Sequence, residues 1–181
     1  MLSKCKNGLF ARVTRCSLPL AITALCCTGG CQNRGADVQL NNPELAAFVR
    51  LVMPKKIEIQ DFTKPFDFEG TGNADGLEVI VVTLDSFGEP VKCLGTFHFE
   101  LHTKRMATAD KLGKRIGFWP VTIDSDKALA QYWDPLTRSY CFRLKLSSGT
   151  LPPEHYVLSA RLITPTDDKL FDDYEFTYGG R

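Results

Sequence analysis

From Lys55 onward, apolar side chains recur at every second position, and no other feature constrains the fold of this chain as much. Successive side chains of an extended strand point to opposite faces, so a period of two marks strands with one face buried. Such runs cover 56–63, 77–84, 91–102, 116–123, 138–146, 155–163 and 170–178. Glycine, proline, serine and aspartate cluster between them, at 70–76, 86–90, 147–153 and 165–168. In 140–146 the aromatic and leucine positions alternate with Cys141, Arg143 and Lys145, which predicts one wet face. The run 77–84 is apolar at both parities beyond its first residues, as a central strand is. About seven short strands joined by hairpin-type links predict an all-β, two-sheet sandwich.

Two short helices interrupt the pattern. Asn42, Pro43 and Glu44 supply a cap, a first-turn proline and an early acid, and Pro54 ends the run. Leu45, Phe48, Val49 and Val52 share one side of that helix. Its other side carries too little charge for a membrane surface, so it is expected to pack on the domain. Ser125 or Asp124 caps a second helix over 126–133, and Pro135 stops it. Leu129, Tyr132 and Trp133 are expected to plug one end of the sandwich.

The first thirty residues read as an address. Lys4, Lys6, Arg12 and Arg15 precede an apolar stretch over 18–27, and no acid occurs before Asp37. Small residues follow, up to Cys31. Basic start, short apolar centre and small-residue exit make a secretory signal. The apolar stretch falls short of the ~20 residues that span a bilayer. Thr28-Gly29-Gly30-Cys31 resembles a bacterial lipobox, with Thr28 standing where that pattern usually has leucine. The resemblance implies cleavage before Cys31, a lipid on its sulfur and anchorage to a membrane. Cleavage without lipid, an uncleaved anchor and a misassigned start codon are the alternatives. The chain then divides into a signal peptide (1–30), a lipid-proximal tether with its helix (31–54) and a sandwich domain (55–181). Its expected place is the cell envelope, facing the periplasm or the exterior.

Charge excludes one class of partner. The 22 basic and 21 acidic residues nearly cancel, so no long-range field draws in nucleic acid. The seven cysteines do not form a disulfide framework, because five fall within the first 31 residues and only Cys93 and Cys141 lie in the sandwich domain. Cys93 shares the parity of Val91, Phe97 and Phe99, whereas Cys141 opposes its strand's apolar row. No bridge between them is expected.

Two constellations carry oxygen or nitrogen ligands. In the loop 67–78, Asp67, Glu69, Thr71, Asn73, Asp75 and Glu78 bear side-chain oxygens, and Gly72 stands at the sixth place. The loop resembles EF-hand-like calcium loops, which implies calcium as its cofactor. It departs from them at Glu69 and Ala74, and strands replace the flanking helices. The plainer reading is an acidic turn between strands. His98, Glu100 and His102 alternate with Phe97, Phe99 and Leu101 and therefore share the wet face of one strand. The two histidines stand ~13 Å apart along an extended strand, so one metal could take only an adjacent pair. No nucleophile elbow, phosphate-binding glycine loop or cysteine–histidine pairing is present. Nothing singles out Glu100, Asp110, Asp167 or Asp168 as an acid catalyst. Tyr174, Phe176 and Tyr178 share a face and are expected in the core, while Phe118 and Trp119 could serve core or surface.

The turn Asp85-Ser86-Phe87-Gly88-Glu89-Pro90-Val91 resembles the hairpin common in bacterial immunoglobulin-like modules. The stretch 153–160, with Tyr156, Leu158 and Ala160, resembles their late strand. These patches imply an immunoglobulin-like scaffold, although the Cys–Trp–Cys spacing of antibody domains is absent. The expected protein is a lipid-anchored envelope module with a non-enzymatic binding or structural role. Its expected partners are a membrane, through the lipid, and an envelope protein or glycan. The alternative is a calcium- or carbohydrate-binding module that uses the 67–78 loop.

Overall fold

The computed structural model describes residues 42–106, 111–147 and 149–179. The leader, Cys31, the tether up to residue 41 and Asp110 lie outside these residues. In chain order the elements are α1 (Pro43–Val52), β1 (Lys56–Ile59), β2 (Lys64–Phe66), β3 (Gly76–Leu84), β4 (Gly95–Lys104) and β5 (Leu112–Ile123). They continue with α2 (Asp126–Tyr132), β6 (Trp133–Asp134), β7 (Ser139–Lys145), β8 (Glu154–Ile163) and β9 (Lys169–Tyr178).

The strands form two antiparallel sheets. One runs β1-β3-β7-β6, with β2 on the same edge of β3 as β1; the other runs β5-β4-β8-β9. In immunoglobulin lettering these orders are A-B-E-D and C′-C-F-G, so the fold is an immunoglobulin-like sandwich. One local device of that fold is present too. Tyr156, at the start of β8, donates its hydroxyl to the Pro152 carbonyl at 2.6 Å, tying the strand to the corner before it.

Alternation explains the core. Phe97, Phe99 and Leu101 on β4 and Tyr156, Leu158 and Leu162 on β8 are fully buried, facing Leu77, Val79, Val81, Tyr140 and Phe142 of the other sheet. The Phe142 ring lies 4.9 Å from Phe97 and 4.8 Å from Phe99, so aromatic contacts join the sheets at mid-core. Tyr174, Phe176 and Tyr178 pack against this core, as do Leu129, Tyr132 and Trp133. Trp119 also turns inward, over Gly117, where a Cβ would meet its ring at 2.2 Å. Its indole Nε1 donates to the Lys145 carbonyl at 2.7 Å and links the sheets at one edge. At the other edge Asp172 accepts from the Ile59 amide at 2.6 Å.

Several boundaries depart from the sequence expectation. β1 stops at Ile59 because 60–63 loop out opposite Val79 and Ile80, closed by a 2.9 Å bond from the Thr63 amide to the Gln60 carbonyl. The edge resumes as β2, too short and too proline-bearing for its period to show. β4 begins at Gly95, not at 91, because the segment before it is used otherwise. The Val91 carbonyl accepts from Thr83, and the Cys93 amide donates to the buried Tyr140 hydroxyl at 2.8 Å. Helix α1 has its Asn42 cap but does not pack on the domain. None of its residues is buried, and Phe48 is 60 % exposed. Among the described residues no helix is long and apolar enough to cross a membrane.

Candidate functional site

The outward face of the four-stranded sheet carries a cluster of polar and charged side chains. Register sets its layout. His98 lies between Pro120 on β5 and Arg161 on β8, and Glu100 lies between Phe118 and Ser159. Beyond β8, Phe171 stands beside Arg161 and Asp173 beside Ser159. Together these residues form a shallow depression of about 260 Å³, lined by His98, Glu100, His102, Ser159, Arg161, Phe171 and Asp173, with Leu112 at its rim.

Hydrogen bonding fixes part of the site. Arg161 Nη2 lies 2.9 Å from His98 Nδ1. A guanidinium only donates, so Nδ1 accepts and the ring carries its proton on Nε2. Glu100 Oε2 accepts from His102 Nε2 at 3.1 Å and lies 3.6 Å from Arg115 Nη1. The Arg115 guanidinium also sits 5.6 Å above the Phe118 ring. Farther along the face, Lys104 and Lys111 bond to Glu175 and hold its carboxyl down at about 2.

Arg161 and Asp173 differ from these. Arg161 is half-buried and its Nε is enclosed without a hydrogen-bond partner. Among the described residues no carboxylate lies within ion-pair distance of Arg161, and the Asp173 side chain has neither a hydrogen bond nor an ion pair, although after Glu175 its charge helps to raise the pKa of Lys111. The depression thus holds one guanidinium and one carboxylate that do not meet. Phe118 and Phe171, 45 % and 64 % exposed, flank it on the two outer strands.

The 67–78 loop is arranged differently. Asp67 accepts from the amides of Thr71 at 3.1 Å and Gly72 at 2.6 Å, and these bonds lower its pKa, Gly72 foremost. Asp75 is 4 % exposed and accepts from the Phe68 amide at 2.7 Å through Oδ1. Its Oδ2 has no hydrogen-bond partner, and the nearest cation is Lys145 Nζ at 3.8 Å. That ammonium also bonds to Glu69 at 2.6 Å. Glu78 lies on β3, on the outward side, between Lys64 and Arg143. Thr71 and Asn73 are exposed loop residues. Among the described residues no three His, Cys, Asp or Glu side chains come together as a metal-ligand group, in this loop or around His98 and His102.

The cysteines follow parity. Cys93 and Cys141 are free, the first buried beside Tyr140 and the second half-buried on the outer face of the five-stranded sheet. Burial pushes the Cys93 thiol up to about 11 and raises that of Cys141. Both are poor thiolate nucleophiles near neutrality.

The residues of the depression that escaped the sequence reading include Ser159, Arg161, Phe171 and Asp173. The signal was there. In the run 155–163 the polar Ser159 and Arg161 alternate with buried Leu158, Ala160 and Leu162. What the sequence could not supply was the antiparallel register that sets Arg161 beside His98. Comparison with models of protein families, with curated proteins and with solved structures gives no match to this chain.

Proposed function

We propose that this chain is a non-enzymatic binding module held at a membrane of the cell envelope, and that it presents the outward face of its four-stranded sheet to its ligand. The leader and the Gly29-Gly30-Cys31 exit support the envelope location. One observation carries the binding role. A half-buried guanidinium without a carboxylate shares a depression with an unpaired carboxylate, on a sheet whose other face is the rigid core. Buried charges in folded proteins are usually paired, so a mid-sheet guanidinium without a carboxylate favours a partner from outside, reached through its Nη groups and not through the enclosed Nε. The two readings are tested separately. Cys31→Ser should move the protein from the membrane to the soluble fraction of cells; a variant retained as firmly as the parent removes the anchor. Ser159→Trp should fill the depression and abolish binding to envelope extracts while the fold stays intact; undiminished binding removes the face.

A second reading, calcium at the 67–78 loop, is favoured by the partnerless Oδ2 of Asp75 alone. Bound calcium at a hundredfold excess over Kd should stabilise the protein by about 2.7 kcal/mol. Titration into millimolar calcium with an unchanged melting temperature removes that reading.

A further inference from the structure

We propose that the depression around Arg161 binds a neutral glycan strand lying across the four-stranded sheet; the inference rests on reading this face as the binding surface. Four groups there remain free to engage a ligand. They are the part of the Arg161 guanidinium that is neither bonded to His98 nor enclosed, the Nε2–H of His98, the Ser159 hydroxyl and the Asp173 carboxylate. The guanidinium and imidazole only donate in these states, the carboxylate only accepts, and the serine does both. Among the described residues of the depression, the Arg161 and Asp173 charges oppose each other without pairing, so the set selects neither an anion nor a cation. A sugar hydroxyl donates and accepts at once, and a row of hydroxyls satisfies such a mixed set without bringing a charge of its own.

Shape argues the same way. Sites that enclose small molecules hold ~300–1,000 Å³ and cover most of the ligand. This depression is smaller, at about 260 Å³, and lies on an open sheet face. Its ligand must therefore be held along a surface and extend beyond it. Phe118 on β5 and Phe171 on β9 stand outward at the two margins, three strand spacings apart, or roughly 14 Å. Their exposed rings offer flat apolar surfaces to the C–H faces of sugar rings, and the span accommodates several such rings.

An extended peptide fits less well. Peptides that join sheets do so at an edge, where backbone amides and carbonyls are unpaired. Here the polar groups lie over β4 and β8, the two interior strands, whose backbone is already paired on both sides.

The test uses the full chain, in detergent if it carries lipid, against an array of neutral and acidic oligosaccharides and against an extended decapeptide library. The expected result is binding of a neutral oligosaccharide. Arg161→Ala and Asp173→Asn should each weaken it by about tenfold to a hundredfold, the usual cost of a hydrogen bond to a charged group. Phe171→Ala should weaken it as well, with melting temperature and circular dichroism unchanged in all three. An array without a neutral binder, a preference for acidic sugars, or neutral binding that survives both polar substitutions would overturn the proposal. Arg161-dependent binding of peptides alone would also overturn it, while leaving the face as the binding surface. The Ser159→Trp experiment, by contrast, tests the face whatever the ligand.

Discussion

On the outer face of the five-stranded sheet, Glu78 lies 3.5 Å from Lys64 and 3.6 Å from Arg143, and an apolar hollow lined by Phe62, Ile80, Val82 and Cys141 lies farther along it. On the outer face of the four-stranded sheet, Arg161 and Asp173 stand in one depression and have no ion pair among the described residues. Both faces come from the same alternation, and both back onto the same core. The difference is one of pairing. Where charges meet across strands, as at Glu78, each pair contributes a little to stability. Where a half-buried guanidinium is left with an enclosed, partnerless Nε, that unsatisfied donor offsets what its bond to His98 contributes. Local conflicts of that kind concentrate at functional sites.

The comparison can be sharpened by substitutions on both sides of the same strands. Phe99→Ala removes a fully buried ring from the inner side of β4, beside outward His98 and Glu100. The expected loss is about 3–5 kcal/mol, read from chemical denaturation. A loss below about 1 kcal/mol would mean that the core is not shared as described. Tyr156→Phe removes only the hydroxyl that holds the Pro152 carbonyl. It should cost about 0.5–1.5 kcal/mol. A neutral result would mean that this bond does not help to hold β8 to the corner before it.

Glu78→Gln breaks the paired cluster on the five-stranded face. Its carboxylate is only 18 % exposed, but both cationic partners are mostly in solvent. A loss of about 0.2–1 kcal/mol is expected, smaller at high salt. A salt-independent gain in stability would show that the pairing on this face has no value, and the contrast between faces would fail.

Much of this fold was legible because alternation dictates it. All seven period-two runs became strands, and Tyr174, Phe176 and Tyr178 took the inward parity expected of them. The losses have separate causes. β2 contains three residues, one of them Pro65, and a period cannot be read from so few. β5 begins four residues early, through Leu112, Gly113, Lys114 and Arg115, where glycine and charge hide a strand held by pairing to β4. Helix α1 shows how far local signals reach. Asn42 and Pro43 set where it starts, but burial of its apolar side depends on a surface that the sequence does not name. The candidate site was half legible. His98, Glu100 and His102 were visible as one strand face. Arg161 and Asp173, 63 and 75 positions beyond His98 in the chain, joined them only through register.

If Arg161 serves a ligand, as proposed, the fold should not need its guanidinium. Arg161→Met tests it most directly, because methionine retains the unbranched, apolar stem and removes the guanidinium with its partnerless Nε. The measurement is the stability of the ligand-free chain by urea denaturation, beside the parent. A change within about 1 kcal/mol in either direction is expected, because removal of the unsatisfied buried Nε offsets loss of the bond to His98 Nδ1. A loss of about 2 kcal/mol or more would contradict it, making Arg161 a structural strut and the depression an ordinary wet face.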